Sequence, residues 1–401
     1  MNRPTEPLPF VEFVILMALM VSLVAMSTDI MLPALKIIGS DLYVVDISDT
    51  QHIVIVLFFG FGVGQILAGP LSDAYGRKPI IYLGFCIFIA GCILSMVANE
   101  FNVMLGGRAL QGLGAAGPRV ISVAMVRDGY SGRVMARVMS FIMTVFILVP
   151  VLAPFIGQGI LMLTGWRGLF ALLLIKASVA FFWFALRQPE TLLPEKRQAF
   201  SLPSLAAGIF EILGSRYVVG YTGALGMVFG ALVAYLATAR QIFQDIYFVG
   251  EWFPVYFGTV AIAIGVGHLL NSKLVIQSGM RRLTIRGLMV ASAVSTLLSA
   301  LLIIFPGPPP IWGFLGWLLI AFCCMGFIFG NLNTLAIEPL GHIAGLGAAM
   351  IGSLSTLIAL PLSVFIGAQL DGTVLPLVSG FAILNFAALG LIAWINTTKT
   401  N

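Results

Sequence analysis

Apolar runs of roughly twenty residues recur along the entire chain, separated by short turns rich in Gly, Pro and charge. Each run matches the length a helix needs to cross a hydrocarbon core of ~30 Å. "IVIVLFFGFGVGQILA" (53–68) and "IIYLGFCIFIAGCIL" (80–94) are two such runs, with only eleven residues between them. Of 401 residues, 60% are hydrophobic and 9% charged, against about 25% charged in a soluble domain. The composition therefore places the chain in the bilayer and excludes a soluble enzyme. Net charge is +5, but the basic residues fall in the turns between apolar runs, which reads as membrane topology and not as nucleic-acid binding. Cys86, Cys92, Cys323 and Cys324 lie inside apolar runs without ligand spacing, and the three histidines are scattered at 52, 268 and 342. This pattern predicts packing residues, no metal centre and no bound cofactor. The start, "MNRPTEPLPF", leads into an apolar stretch longer than a signal-peptide core and is expected to remain as the first helix.

Polar punctuation predicts twelve spans, near 10–34, 50–71, 79–98, 102–126, 138–163, 167–187, 216–239, 253–272, 284–305, 311–335, 343–370 and 374–396. The segment "ARQIFQDIYFVGEWF" (239–253) mixes charge with aromatic residues and reads as interfacial. With the N-terminus in the cytoplasm, one side collects fifteen Lys and Arg: Arg3, Arg77, Lys78, Arg127, Arg133, Arg137, Arg187, Lys196, Arg197, Arg216, Lys273, Arg281, Arg282, Arg286 and Lys399. The other side holds three, Lys36, Arg167 and Arg240, so both termini are expected in the cytoplasm. The longest polar connection divides the chain into a six-helix half at 1–187, a linker at 188–215 and a second six-helix half at 216–401. "GRKP" (76–79) and "GMRRL" (279–283) occupy corresponding turns of the two halves. A duplicated six-span layout points to a transporter.

The turn "GPLSDAYGRKP" (69–79) lacks the G-x-x-x-x-G-K-[ST] spacing of a phosphate loop and follows no strand. As a helix hairpin every residue has a reason except one. Pro79 suits the first turn of a helix, Gly76 a tight reversal, and Arg77 and Lys78 anchor the turn. Asp73 has no topological purpose; a static turn and a conformational latch both account for it. Gly60, Gly64 and Ala68, and Gly112 and Ala116, recur at four-residue spacing and are expected to let helix backbones approach closely.

This turn, Gly69 to Pro79, resembles the loop between helices 2 and 3 of the major facilitator superfamily. "RALQGLGAAG" (108–117) continuing to "VRDGY" (126–130) resembles its fourth-helix motif, "LVPVLAPFIGQG" (148–159) its fifth-helix antiporter motif, and "STDIMLPAL" (27–35) the first-helix motif of the twelve-span drug:proton antiporters, the Bcr/CflA branch in particular. The antiporter motif departs from Gly-Pro-x-x-Gly-Gly, reading Ala153-Pro154-Phe155-Ile156-Gly157-Gln158. The resemblance implies an all-α integral membrane protein with twelve helices in two pseudo-symmetric six-helix bundles, a gating loop that includes Gly69, Asp73, Gly76, Arg77, Lys78, Arg127 and Asp128, and an antiporter helix that includes Pro150, Ala153, Pro154 and Gly157. The two prolines are expected to bend that helix.

Ionisable residues within spans cost about 2.5–3.5 kcal/mol each on insertion scales, so each demands an explanation. Asp29 and Arg108 are expected at similar depth in antiparallel spans and within reach of each other. Burial and a neighbouring cation pull a carboxylate's proton affinity in opposite directions, which suits Asp29 as the proton carrier with Arg108 as its partner; a permanent ion pair fixing helix register is the plainer alternative. Gln111 shares the face of Arg108. Arg119, Lys176, Tyr235, His268, Asn331, Glu338 and His342 are weaker site residues: His268 is expected to hydrogen-bond between helices, and Glu338 and His342 to form a charged helix entry or a gate contact.

The expected function is proton-coupled export of small, largely hydrophobic molecules from a monomer in a bacterial-type inner membrane, with protons as the coupling ion. A dedicated exporter of one endogenous metabolite carries the same motifs, and a proton-coupled uptake symporter fits the fifth-helix motif less well. An enzyme needs a nucleophile–base pair or a metal cluster, and neither pattern is present; a sensor needs a sizeable output domain.

Overall fold

A computed structural model describes residues 8–197 and 201–396, which form helices and turns with no strand among them. Backbone groups cannot be left unpaired in hydrocarbon, so a chain of this composition satisfies them within each segment. The helices are α1 (Phe10–Val21), α2 (Leu23–Asp29), α3 (Leu35–Asp41), α4 (His52–Tyr75), α5 (Arg77–Met96), α6 (Phe101–Gly129), α7 (Gly132–Thr164), α8 (Trp166–Arg187), α9 (Leu202–Gly214), α10 (Arg216–Arg240), α11 (Phe253–Ser278), α12 (Met280–Ile304), α13 (Ile311–Ile337), α14 (Ala344–Ala368) and α15 (Leu375–Asn396). Eleven helical stretches among the described residues are long and apolar enough to cross a membrane. α7, a helix of 33 residues with apolar Leu148–Thr164 at its end, is the twelfth. It stays continuous through Pro150 and Pro154.

Three features differ from the sequence-based expectation. The first span is not one helix ending near 34 but the series α1, α2, a 3-10 turn at Leu32–Ala34, and α3. Pro33 explains the interruption: it has no N–H to donate, and its ring crowds the carbonyl four residues back, that of Asp29. The connection after the sixth span, expected as a linker with no element assigned to it, contains α9. The segment at 239–253 continues α10 as a π-helix, Gln241–Ile246. Arg240, expected in an outer loop, is 2% exposed there. A π-turn stacks residues five apart, which sets the Arg240 guanidinium 2.5 Å from Oδ2 of Asp245.

The chain divides into two units, Met1–Gly208 and Ile209–Asn401. In the first, α6 packs between α4 and α5, α5 also meets α8, and the first span packs on α7. In the second, α13 packs between α11 and α12, α12 meets α15, and α10 packs on α14. The pairing order is therefore repeated. The hairpin turns repeat too: Gly76 (φ +102°) joins α4 to α5, and Gly279 (φ +74°) joins α11 to α12.

Small residues permit the close contacts of α6. A Cβ on Gly112 would run into the carbonyl oxygen of Leu57 on α4, and one on Gly91 would lie 2.7 Å from the Gln111 amide nitrogen on α6. In lipid such approach substitutes dispersion contacts for a hydrophobic driving force. Gly112→Leu is accordingly expected to cost about 1–3 kcal/mol or more. Gly129→Leu, at the far end of the same helix with nothing within 4 Å, is expected to melt like wild type. Equal melting temperatures for the two variants would remove close packing as the role of Gly112.

Candidate functional site

Because Pro33 interrupts the first span, Met31 N–H turns to the carbonyl of Thr28 at 3.3 Å, three residues back. The carbonyl of Ser27 is taken by a side chain from another helix: Nη2 of Arg108 donates to it at 2.9 Å. The same guanidinium donates from Nε to the Ile53 carbonyl at 3.0 Å and from Nη1 to Oε1 of Gln111 at 2.6 Å. Gln111 in turn donates from Nε2 to the Gly91 carbonyl and to Oγ of Ser95, both at 3.3 Å. Arg108 is 0% exposed. Its planar fork thus ties α6 to α2 and α4, and through Gln111 to α5.

Asp29 closes α2 two residues beyond Ser27 and is 3% exposed. The expected Asp29–Arg108 ion pair is not formed. Among the described residues the Asp29 carboxylate has neither a hydrogen-bond nor an ion-pair partner, and the three hydrogen bonds of the Arg108 guanidinium all go to neutral oxygens. A buried carboxylate without partners holds its charge only while water or a cation reaches it, which is the chemistry of a site that loads and unloads a proton. The fifth-span motif meets the same place: a Cβ on Gly157 would strike the carbonyl oxygen of Ile30. Ala153 is fully buried nearby in sequence, with Pro150 and Pro154 within the same helix.

The loop between α4 and α5 forms a second polar centre. Nη1 of Arg77 donates to Oγ of Ser72 at 2.8 Å and to the carboxylate of Asp73; Nε donates to Oδ2 of Asp128, at the end of α6, at 3.0 Å. Ser72 Oγ donates to the Gly69 carbonyl at 2.8 Å. Lys78 donates from Nζ to the carbonyls of Gln188 (2.5 Å) and Ala185 (3.4 Å) at the end of α8. Arg127, one residue from Asp128, is exposed.

Glu190 is the residue that sequence reasoning missed. The first N–H groups of α5 have no intrahelical acceptor, and Gly76 has no side chain to cap them. Glu190 Oε1 accepts from Arg77 N–H at 3.1 Å and Oε2 from Lys78 N–H at 3.0 Å, while Oε1 also takes the amides of Thr191 and Leu192 at 2.9 and 3.0 Å. Thr191 Oγ1 donates to Asp128 at 3.0 Å. A glycine-led helix start with no capping residue, and a carboxylate three residues past a span ending on the same side, was the available signal. Glu190→Ala is expected to raise hydrogen exchange at those four amides by about tenfold to a hundredfold, since bonds to a charged acceptor contribute about 1.5–3 kcal/mol. Unchanged exchange would show that another group caps α5.

The weaker site residues fall in separate places. Lys176, midway along α8, donates from Nζ to Oγ of Ser22 at 2.9 Å, at the junction of α1 and α2. Arg119 is half-buried on α6. In the second unit, the Tyr235 ring is buried and stacked on Phe257 at 5.7 Å. Asn331 is buried and exchanges amide hydrogen bonds with Asn271, at 3.0 and 3.3 Å. His268 is half-buried, and no described residue hydrogen-bonds to it, in contrast to the inter-helix bond expected. Glu338 is exposed, and the His342 side chain lies outside the described residues.

The chain belongs to the Major Facilitator Superfamily, whose family model matches residues 17–361. It is similar to the MFS-type transporter YdgK of Bacillus subtilis strain 168, 28% identical over 390 residues covering 96% of this chain and 94% of that one. It is also similar to a bicyclomycin resistance protein homolog of Haemophilus influenzae, 27% identical over 365 residues and 85% of each chain. Among solved structures, a D-xylose-proton symporter superposes with a TM-score of 0.76 at 15% identity, covering 95% of this chain and 97% of that one, a likeness of fold. The protein is thus a multi-pass membrane transporter, with twelve membrane spans among the described residues in two six-span bundles.

Proposed function

We propose that the protein exports small, largely hydrophobic molecules in exchange for protons, and that Asp29 is the group that carries the proton. The observation behind this reading is a buried carboxylate with no partner among the described residues, set where Pro33 breaks the first span and Gly157 of the antiporter motif presses on the next carbonyl. A proton and a substrate alternate at that carboxylate, and occupancy biases the protein between its two access states. Arg108 acts as a positioning residue that fixes the first span through Ser27. The Ser72–Asp73–Arg77–Asp128 network is the latch of the gating loop, made and broken as access changes. The similarity to a bicyclomycin resistance protein homolog supports drug-like substrates. The excess of Lys and Arg on one side supports cytoplasmic termini in a bacterial inner membrane. The protein works as a monomer in the bilayer, with no bound cofactor beyond the coupling proton.

The test is uptake by proteoliposomes, across a panel of neutral and cationic drug-like compounds, under an imposed pH gradient. Transport driven by a gradient acid on the side opposite the substrate is expected. Flux of every transported compound that ignores the gradient, or runs with the proton, would overturn the exchange reading.

A further inference from the structure

Between α12 and α15 runs an apolar groove of about 220 Å³, lined by Ile285, Met289, Leu389, Ile392 and Ala393. This is ample room for water, yet the lining is almost wholly apolar and offers nothing for water to bond. Met289 is 56% exposed, so the groove opens outward along the helices. Ile285 and Met289 lie one turn apart on α12, and Leu389, Ile392 and Ala393 span one turn of α15, so the groove follows the helix axes.

One end of the groove is strongly basic. Arg281 and Arg282 precede Ile285 by one turn on the same stripe of α12, and Arg286 adjoins it. Helix side chains lean toward the N-terminus, so the arginines above Ile285 extend past the groove's end. Arg282 and Arg286 are exposed, Arg286 making only a 3.5 Å contact to Oγ of Ser278. On the other wall, Trp394 follows Ala393 and is 44% exposed, with the Arg216 guanidinium stacked on its ring at 3.9 Å and bonded to its carbonyl at 3.0 Å. Trp and Arg together mark the headgroup level of a membrane helix. None of α10, α12 and α15 carries an Asp or Glu; Glu338 lies near Tyr221 together with Arg281, whereas Arg282 and Arg286 have no ion-pair partner among the described residues.

We propose that this groove binds an anionic phospholipid of the phosphatidylglycerol type, with an acyl chain along Ile285, Met289 and Leu389 and the phosphate between Arg282 and Arg286. Neither half suffices alone. The groove supplies shape without charge, and the arginines supply charge without depth; a lipid with a negative headgroup satisfies both. Basic clusters beside membrane helices attract anionic lipid by about 1 kcal/mol per residue, or about fivefold in affinity. The cytoplasmic leaflet as its source rests on the orientation proposed above, whereas the binding itself is measured without transport.

The experiment is native mass spectrometry of the delipidated full chain, titrated separately with phosphatidylglycerol, phosphatidylcholine and inorganic phosphate. Phosphatidylglycerol is expected to bind at least fivefold tighter than phosphatidylcholine, and phosphate not to compete with it at equal concentration. Arg282→Gln with Arg286→Gln should weaken phosphatidylglycerol by about thirtyfold and erase the preference. Met289→Trp, which fills the groove and keeps every arginine, should weaken both lipids while leaving the preference. Equal binding of the two lipids by wild type would overturn the proposal, as would competition by phosphate alone or two variants that bind like wild type. Should the double variant fail to fold, the Met289→Trp result decides alone.

Discussion

Asp29→Asn is expected to insert, fold and melt at or above the wild-type temperature while losing gradient-driven transport by about a hundredfold or more, the scale on which removing an essential proton-transfer group acts. The two halves of this expectation have one cause. The Asp29 carboxylate is 3% exposed and none of the described residues pairs with it, so its amide isostere strands no neighbouring donor or acceptor. A neutral amide is also easier to bury than a charge. Stability therefore has nothing to lose, whereas a group that must take and release a proton loses everything. Downhill substrate exchange, which needs no net proton movement, should survive in the variant. Coupled transport at the wild-type rate by Asp29→Asn would move the proton site elsewhere.

Arg108→Lys is expected to do the opposite, lowering stability first and activity in consequence. The guanidinium bonds three acceptors on three helices, at 3.0, 2.6 and 2.9 Å. An ammonium is a point donor on a flexible stem and cannot reproduce that fork. The Ser27 carbonyl, which the Met31 N–H has abandoned for that of Thr28, is then left buried and unpaired at about 1–3 kcal/mol, and the loss is measured as a lower melting temperature in detergent. The substitution separates two roles, because it keeps the positive charge. If Arg108 served only as a counter-charge for Asp29, lysine would restore both stability and transport, and wild-type behaviour in both would contradict the positioning role.

The contrast between these residues shows where the sequence was informative. Apolar runs and their punctuation predict the spans well because each helix satisfies its own backbone and needs only length and hydropathy. Asp29 and Arg108 stood out because charge in a span is costly, and their shared depth follows from counting residues in antiparallel spans. What pairs with what was not legible. Attraction between unlike charges suggested an ion pair, yet the acceptors used by Arg108 are two carbonyls and an amide, and carbonyls are present at every residue. Pro33 was in plain view and its ring interrupts the helix at Asp29, but that the freed Ser27 carbonyl meets Arg108 depends on how α6 packs against α2. Arg240 misled by the same rule that revealed Asp29. A charge near a span end reads as loop, whereas the π-turn at Gln241–Ile246 places Asp245 beneath it and keeps it within the helix. Glu190 was missed for another reason: the uncapped start of α5 and the carboxylate after α8 were both visible, but they lie more than a hundred residues apart and only the fold brings them together.

The central claim, that a proton and a substrate exchange at Asp29, is tested most directly by proton release from purified protein in weakly buffered detergent solution. A compound transported in the proteoliposome panel is added, and the pH of the medium is followed with an indicator dye. Wild type should release protons on binding, more at a pH where the site is loaded than at alkaline pH, while Asp29→Asn binds the compound and releases none. Proton release from Asp29→Asn equal to that of wild type would contradict the account.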